Sequence, residues 1–301
     1  MKKNKYLNIL IFHSSLLILI VSFLLSCQTM PKAQDTFLED IKILPLGSGA
    51  SAYIFANAQK ARDILELLPL EELKDPQTKQ MMDRTGYFVA ALFPPETGKR
   101  FQLAAWGNYP NVQAGFAFTF DKNWKKQRSQ AGGSYWYSSV SGLSLSIDSK
   151  KALAASSLTA QPFDLLDNKG GAQVPEGFNE FRGNADLSCW LVNPGDTITR
   201  MLSEAGLPIR FPVLQLFFNL ITVSPGRYEA VIRLQFDNPT QARGMAAVIN
   251  LASSFGLAGS NFIASLFISN PSSQSENNLD FFTNILSDQE IITLFNLFLS
   301  V

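Results

Sequence analysis

The chain is 301 residues long, with 25 basic and 25 acidic residues, only 17% charged residues, and 24 phenylalanines. This even balance excludes the broad basic surface that nucleic acid demands. One histidine and two cysteines leave little for nucleophilic triads or for metal sites, while the length suffices for one or two domains with a large core.

Lys2, Lys3 and Lys5 precede an apolar run over 7–25, interrupted by His13, Ser14 and Ser15. Such a segment is a targeting device rather than part of the fold. The polar triplet breaks the roughly 20 continuous apolar residues that a membrane-spanning helix needs. The run closes on Leu24-Leu25-Ser26-Cys27, which resembles the lipobox of bacterial lipoproteins. The resemblance implies a signal over 1–26 that is cut before Cys27. It also implies a diacylglycerol on the Cys27 sulfur and an acylated new amino terminus. The competing reading, an uncleaved signal anchor with an incidental cysteine, fits the charge, length and terminus less well. Two or more acyl chains give stable anchoring, so the mature chain needs no spanning helix.

Without the signal, 22 basic residues face 25 acidic ones over 275 residues, a formal charge of −3. The sole histidine, His13, leaves with the signal, and Cys189 loses any intramolecular partner once Cys27 is acylated. Cys189 lies in Leu187-Ser-Cys-Trp-Leu-Val192, which predicts a buried strand.

Residues 27–42 read as a short tether that keeps the folded part near the bilayer. A first α+β repeat is expected over 43–155, a Gly-, Pro-, Asn- and Gln-rich connector over 156–182, and a second repeat over 183–301. The first repeat opens with a strand over 50–57 that ends on Asn57 as a helix cap. A helix follows over 58–68, with Ala61, Ile64, Leu65 and Leu68 on one face. The second opens alike, with a strand over 185–193 and a helix carrying Ile198, Met201, Leu202 and Ala205 on one face. Strands follow over 87–93 and 100–106 in the first repeat, and over 220–223 and 227–236 in the second. Pro110 and Pro239 then mark segment starts, over 111–120 and 240–252. Each repeat closes on two strands and a helix. In the first these are 134–140, 142–147 and a helix after Ser149. In the second they are 260–268, 278–284 and a helix after Asp288, where Ser287-x-x-Glu290 has capping-box spacing. The fold class expected is α+β, two pseudo-repeats of mainly antiparallel sheet packed against helices.

The usual catalytic groupings are missing. Gly47-Ser-Gly-Ala-Ser-Ala52 fits a dinucleotide fingerprint in letters, but a strand follows where a helix must begin, so a flexible turn is expected. Hydrolase triads lack a base in the mature chain, and a Ser-x-x-Lys dyad is absent from the sequence. The neighbouring acids Glu39-Asp40 and Glu71-Glu72 read as solvated surface. Ser134-Tyr-Trp-Tyr-Ser138 reads as cross-strand packing and Trp124-Lys-Lys-Gln-Arg128 as a solvated helix end. No enzyme, no cofactor, no metal and no nucleic-acid partner are expected.

Two apolar stretches remain. Residues 211–221 are nearly all apolar and read as a helix carrying Phe217 and Phe218. The C-terminal segment from 291 reads as a helix whose polar residues, Gln289, Thr293, Asn296 and Ser300, form one narrow stripe. Ile291, Ile292, Leu294, Phe295 and Phe298 cover much of the rest. Such a helix is buried or meets lipid or a partner, and burial is the stronger expectation because its polar face carries no Lys or Arg. In layout the chain resembles spirochaete outer-membrane lipoproteins, which combine an acyl anchor with amphipathic helices. The expectation is a non-enzymatic envelope lipoprotein, in the outer rather than the inner membrane. Acylated Cys27 holds it on membrane lipid, and Phe217, Phe218, Ile291, Ile292, Leu294, Phe295 and Phe298 are the candidate contacts with lipid or an envelope protein. The alternative is a protein-interaction or adhesion module of the envelope.

Overall fold

The computed structural model describes residues 41–67, 82–94, 101–128, 133–140, 142–147, 151–155, 171–204, 210, 212–254 and 271–299. Cys27 and its lipobox lie outside them, as do Glu39-Asp40, Glu71-Glu72, the expected strand over 260–268 and most of the connector. The chain forms two compact units, one of residues 1–50, 57–59 and 70–175, the other of 51–56, 60–69 and 176–301. Both are antiparallel sheet with helices, an α+β architecture. The change of unit falls at 175/176, inside the expected connector, and the first strand and helix join the C-terminal unit.

The N-terminal unit is a sheet in the order β2-β3-β7-β6-β5-β4. Its strands are β2 (Thr85–Leu92), β3 (Phe101–Gly107), β4 (Trp124–Arg128), β5 (Ser134–Ser138), β6 (Leu143–Ile147) and β7 (Lys151–Ala155). Strand β7 occupies the place where a closing helix was expected. Its Lys-Ala-Leu-Ala-Ala pairs with β3 on one side and β6 on the other, and this pairing overrides the helix propensity of alanine. Residues 42–46 run beside 172–174: the Leu44 N–H donates to the Ala172 carbonyl at 2.8 Å and the Ala172 N–H to that of Leu46 at 2.8 Å. Buried Gln102 fixes this segment, its Oε1 accepting the Gly47 N–H at 2.6 Å.

One helix, α2 (Asn111–Phe120), covers one face of that sheet. It starts directly after Pro110, as the proline signal predicts. Beneath it Leu103, Ala105, Ala152 and Ala154 form a shallow floor of mostly small side chains. The rings of Phe118, Trp124 and Trp136 fill the space above.

The C-terminal unit is a second sheet, in the order β11-β12-β10-β9-β8-β1, with β13 also on β10. Its strands are β1 (Ala52–Asn57), β8 (Leu187–Val192), β9 (Val213–Ser224), β10 (Arg227–Phe236), β11 (Pro271–Ser275), β12 (Asn278–Phe282) and β13 (Leu286–Ser287). Its helices are α1 (Arg62–Glu66), α3 (Phe178–Arg182), α4 (Gly195–Glu204), α5 (Pro239–Ser254) and α6 (Asp288–Leu299). Helix α1 is shorter than expected, and Asn57 does not cap it: its Oδ1 accepts the Gln59 N–H, and Ala61 stands at the cap position. Strands β9 and β10 join through Pro225-Gly226. Gly226 has φ +72°, the left-handed conformation required at the third position of a type II turn.

Residues 211–221 do not form the expected helix; 213–221 belong to β9. Opposite faces of this strand are covered by different partners. Phe217 faces Phe178 at 5.2 Å and Phe181 at 5.7 Å, both on α3. Phe218 points the other way, in register with Cys189 and Ile232. That second face carries buried Tyr228, Ala230, Ile232, Leu234 and Phe236 of β10, with α5 against β10 and β12. A strand buried on both faces loses its polar alternation and reads as a continuous apolar run.

Among the named elements of the described residues, the order strand, helix, strand, strand, helix recurs over 52–120 and 187–254, with a further helical turn at 82–84 in the first. After it the halves differ. The first continues with β4 to β7, the second with β11 to β13 and α6.

Candidate functional site

Of the residues predicted as contacts, most are inside. Phe217 and Phe218 are each 1% exposed, on opposite faces of β9. Ile291, Leu294 and Phe295 are buried along one side of α6, and Ile292 is half-buried. The side chain of Phe298 lies outside the described residues. Helix α6 is therefore a packing helix over its first two turns. The Ser287–Glu290 spacing closes its start: the Ser287 N–H and Oγ both donate to Glu290 Oε2 at 2.8 Å.

The exposed apolar surface lies elsewhere. In α2, Phe118 is buried while Phe116 and Phe120 are 62% and 80% exposed. Residues two apart on a helix point to nearly opposite sides. Phe118 thus turns into the core, 4.9 Å from Trp124 and 5.4 Å from Trp136, and the two flanking phenylalanines, one turn apart, share the outer side. Thr119, also exposed, bonds back to the Gly115 carbonyl at 2.7 Å, so it leaves no free hydroxyl on that side. A helix apolar on both faces is expected only where both are covered.

A band of cations borders this helix. Lys122, Lys125, Lys126 and Arg128 are all exposed, against Asp121, which is partly buried. The expected helix end over 124–128 is instead β4, the edge of the N-terminal sheet. Lysines on an edge strand also guard it against pairing with another chain. Strand alternation puts Trp124, Lys126 and Arg128 on one face, and Trp124 against Phe118 shows it to be the face of α2. Lys126 is in register with Trp136, and its Nζ lies 5.9 Å from that ring.

The C-terminal unit exposes apolar groups too. Val248 and Leu251 lie on the outer side of α5, opposite buried Ala242, Met245 and Ile249. Ile221, Val223 and Phe282 lie on the sheet face away from α5. Among the described residues, neither group is bordered by four exposed cations within eight residues as α2 is. The same unit has an open cleft of about 370 Å³ lined by Asn193, Asp196, Arg210, Asp237 and Gln241 among others. Its lining mixes these with Pro212, Val213 and Leu214, and an open, mostly polar cleft of this kind does not enclose an acyl chain or a sterol-like ligand. Among the described residues, no helix is long and apolar enough to cross a membrane.

Sequence reading missed Phe116 and Phe120. The signal was present in Gly-Phe-Ala-Phe-Thr-Phe, once Pro110 is taken as a helix start: every second phenylalanine then falls on alternate sides of the helix.

A sequence model of one protein family, described as outer membrane-associated lipoprotein TP0453, matches residues 40–264. Three crystal forms of TP0453 are similar in structure. Form III is 18% identical with a TM-score of 0.56, covering 85% of this chain and 98% of that one. Form I is 17% identical with a TM-score of 0.58, covering 89% and 99%. Form IV is 16% identical with a TM-score of 0.58, covering 87% and 99%. At such identities the likeness is one of fold. No curated protein matches the chain.

Proposed function

This chain belongs to the TP0453 family of outer membrane-associated lipoproteins, and from that premise we propose that it is a non-enzymatic lipoprotein whose folded part touches the bilayer through α2. Its place is the cell envelope, at the outer membrane. Acylation of Cys27 supplies the anchor in this reading, and the exposed Phe116 and Phe120 supply the contact. The observation that carries it is the pair of phenylalanines, 62% and 80% exposed on one side of a helix whose other side is core. Two large apolar side chains held in water on a rigid helix are costly, and lipid removes that cost. The candidate contact thereby moves from 211–221 and α6 to α2. The recurring element order of 52–120 and 187–254 supports reading the chain as two pseudo-repeats, of which only the first exposes aromatic rings on its second helix.

The test uses residues 28–301, which retain every described element, with neutral phosphatidylcholine vesicles. This protein is expected to co-float weakly. Phe116→Ser with Phe120→Ser should lower the partition coefficient at least tenfold, without change in the circular dichroism melt. Equal binding by a folded double variant would overturn the assignment to α2. A second reading, docking of an envelope protein, is favoured by the exposed Ile221, Val223 and Phe282 of the C-terminal unit. It predicts no vesicle binding, and self-association or partner binding that is lost in Phe282→Ser.

A further inference from the structure

We infer that the α2 contact is selective for anionic phospholipid, read by a cationic border made of Lys122, Lys125, Lys126 and Arg128. The inference rests on the membrane reading of α2 and adds the chemistry of the headgroup. Three observations carry it. First, within 121–128 four exposed cations meet one acid, Asp121, in a chain whose mature charge is otherwise slightly negative. The local sign is therefore opposite to that of the whole. Second, Lys126 and Arg128 lie on the same layer as the apolar pair, with Lys122 in the adjoining turn and Lys125 on the other face of the same edge strand. Trp124 and Trp136 both pack on Phe118, and Lys126 stands over Trp136 in direct register. Arg128 follows on the same face of β4, and Lys122 sits two residues beyond Phe120. Third, the cations are on an edge strand and its turn, not on α2 itself. Rings entering the acyl region and ammonium groups at headgroup depth thus come from adjacent elements held rigidly by one core cluster.

The physical expectation follows from membrane electrostatics. A Lys or Arg near an anionic surface adds about fivefold to partitioning, which corresponds to ~1 kcal/mol, and the gain is screened within a Debye length. Lys126 also serves Trp136, so it is left in place. The variant is Lys122→Gln, Lys125→Gln and Arg128→Gln together, all at exposed positions.

Partitioning of residues 28–301 is measured on vesicles of pure phosphatidylcholine and of phosphatidylcholine with one third phosphatidylglycerol. The unchanged protein should bind the anionic vesicles at least tenfold better, and this preference should vanish between 0.05 and 0.5 M salt. The triple variant should lose most of the preference while binding neutral vesicles as before. A parent protein without preference, or a triple variant that keeps it, overturns the inference and leaves the α2 reading standing. Binding to neither vesicle, or binding unaffected by Phe116→Ser with Phe120→Ser on both, overturns the α2 reading and the inference with it. The salt titration of the unchanged protein decides the matter even if the triple variant fails to fold. Preference that persists at 0.5 M salt counts against cations as its source.

Discussion

Cys189 shows how one residue records its surroundings. It is buried in β8, flanked by Ser188 and Trp190, with Phe218 opposite it on β9 and Ile54 on β1. Burial pushes its thiol pKa up from 9.0 to about 12, because the thiolate has no charge partner there. Two consequences follow. The native thiol should resist an alkylating reagent at pH 8 and react only on denaturation; rapid native labelling would place it at the surface. The neutral thiol is the form the fold prefers, so this contribution to stability is fully present below pH 9 and declines as pH rises toward 12. Cys189→Ser should cost ~1–3 kcal/mol by placing a hydroxyl among apolar groups, and it should remove that part of the alkaline loss. Denaturant melts at pH 8 and pH 11 measure both. The burial of Cys189 was legible because the strand around it carries five apolar residues in six. The pairing of Ser188 with Asn219 across β8 and β9 was not, since register depends on a strand some thirty residues away.

At the scale of elements, the sequence spoke most clearly where one end signal and one periodicity agree. Helix α6 has both, a Ser287–Glu290 box and an apolar set at Ile291, Leu294 and Phe295. Helix α5 likewise starts at Pro239 and buries Ala242, Met245 and Ile249. Strand β9 defeated the same reading, because lateral burial on both faces erases the period that separates strand from helix. Helix α2 was illegible for the opposite reason: after Gln113 all but Thr119 are apolar or glycine, and composition alone does not tell which side the sheet takes. Its neighbour relations, Phe118 on Trp124 and Trp136, decide that. A direct comparison separates the two helices. Phe295, 7% exposed, should not tolerate charge: Phe295→Glu is expected to destabilise by more than ~3 kcal/mol, from the lost ring and the buried carboxylate. Phe120→Glu, at 80% exposure, should change stability by less than ~0.5 kcal/mol. Urea melts of the two single variants give the answer. Similar losses at both positions would mean that α2 is as buried as α6.

For the whole molecule, retention at the membrane and contact with it are separable tasks. Each buried methylene of an acyl chain contributes ~0.8 kcal/mol, so the two or more chains proposed on Cys27 would outweigh any protein contact. Phe116 and Phe120, if fully buried in lipid, contribute at most ~3–6 kcal/mol together, a dissociation constant from several millimolar down to roughly 40 μM. Such a contact is weak for a free domain. On the proposed anchoring it becomes populated, because residues 27–41 reach at most ~55 Å and so would hold the domain near the bilayer at roughly millimolar effective concentration. The acylated protein should therefore stay with the membrane when Phe116 and Phe120 are both changed to Ser, while its α2 lets go. Trp124 and Trp136, packed against Phe118, report this locally. In vesicles with brominated acyl chains, tryptophan emission of the acylated parent should be quenched, and quenching should fall by about half or more in the double variant. Cys27→Ala is the control for retention: no labelled palmitate should be incorporated and the precursor should remain uncut. If the acylated double variant leaves the membrane, the protein contact and not the lipid holds it there. If it stays but is quenched like the parent, another surface meets the bilayer, and the exposed Val248 and Leu251 of α5 are the next to substitute.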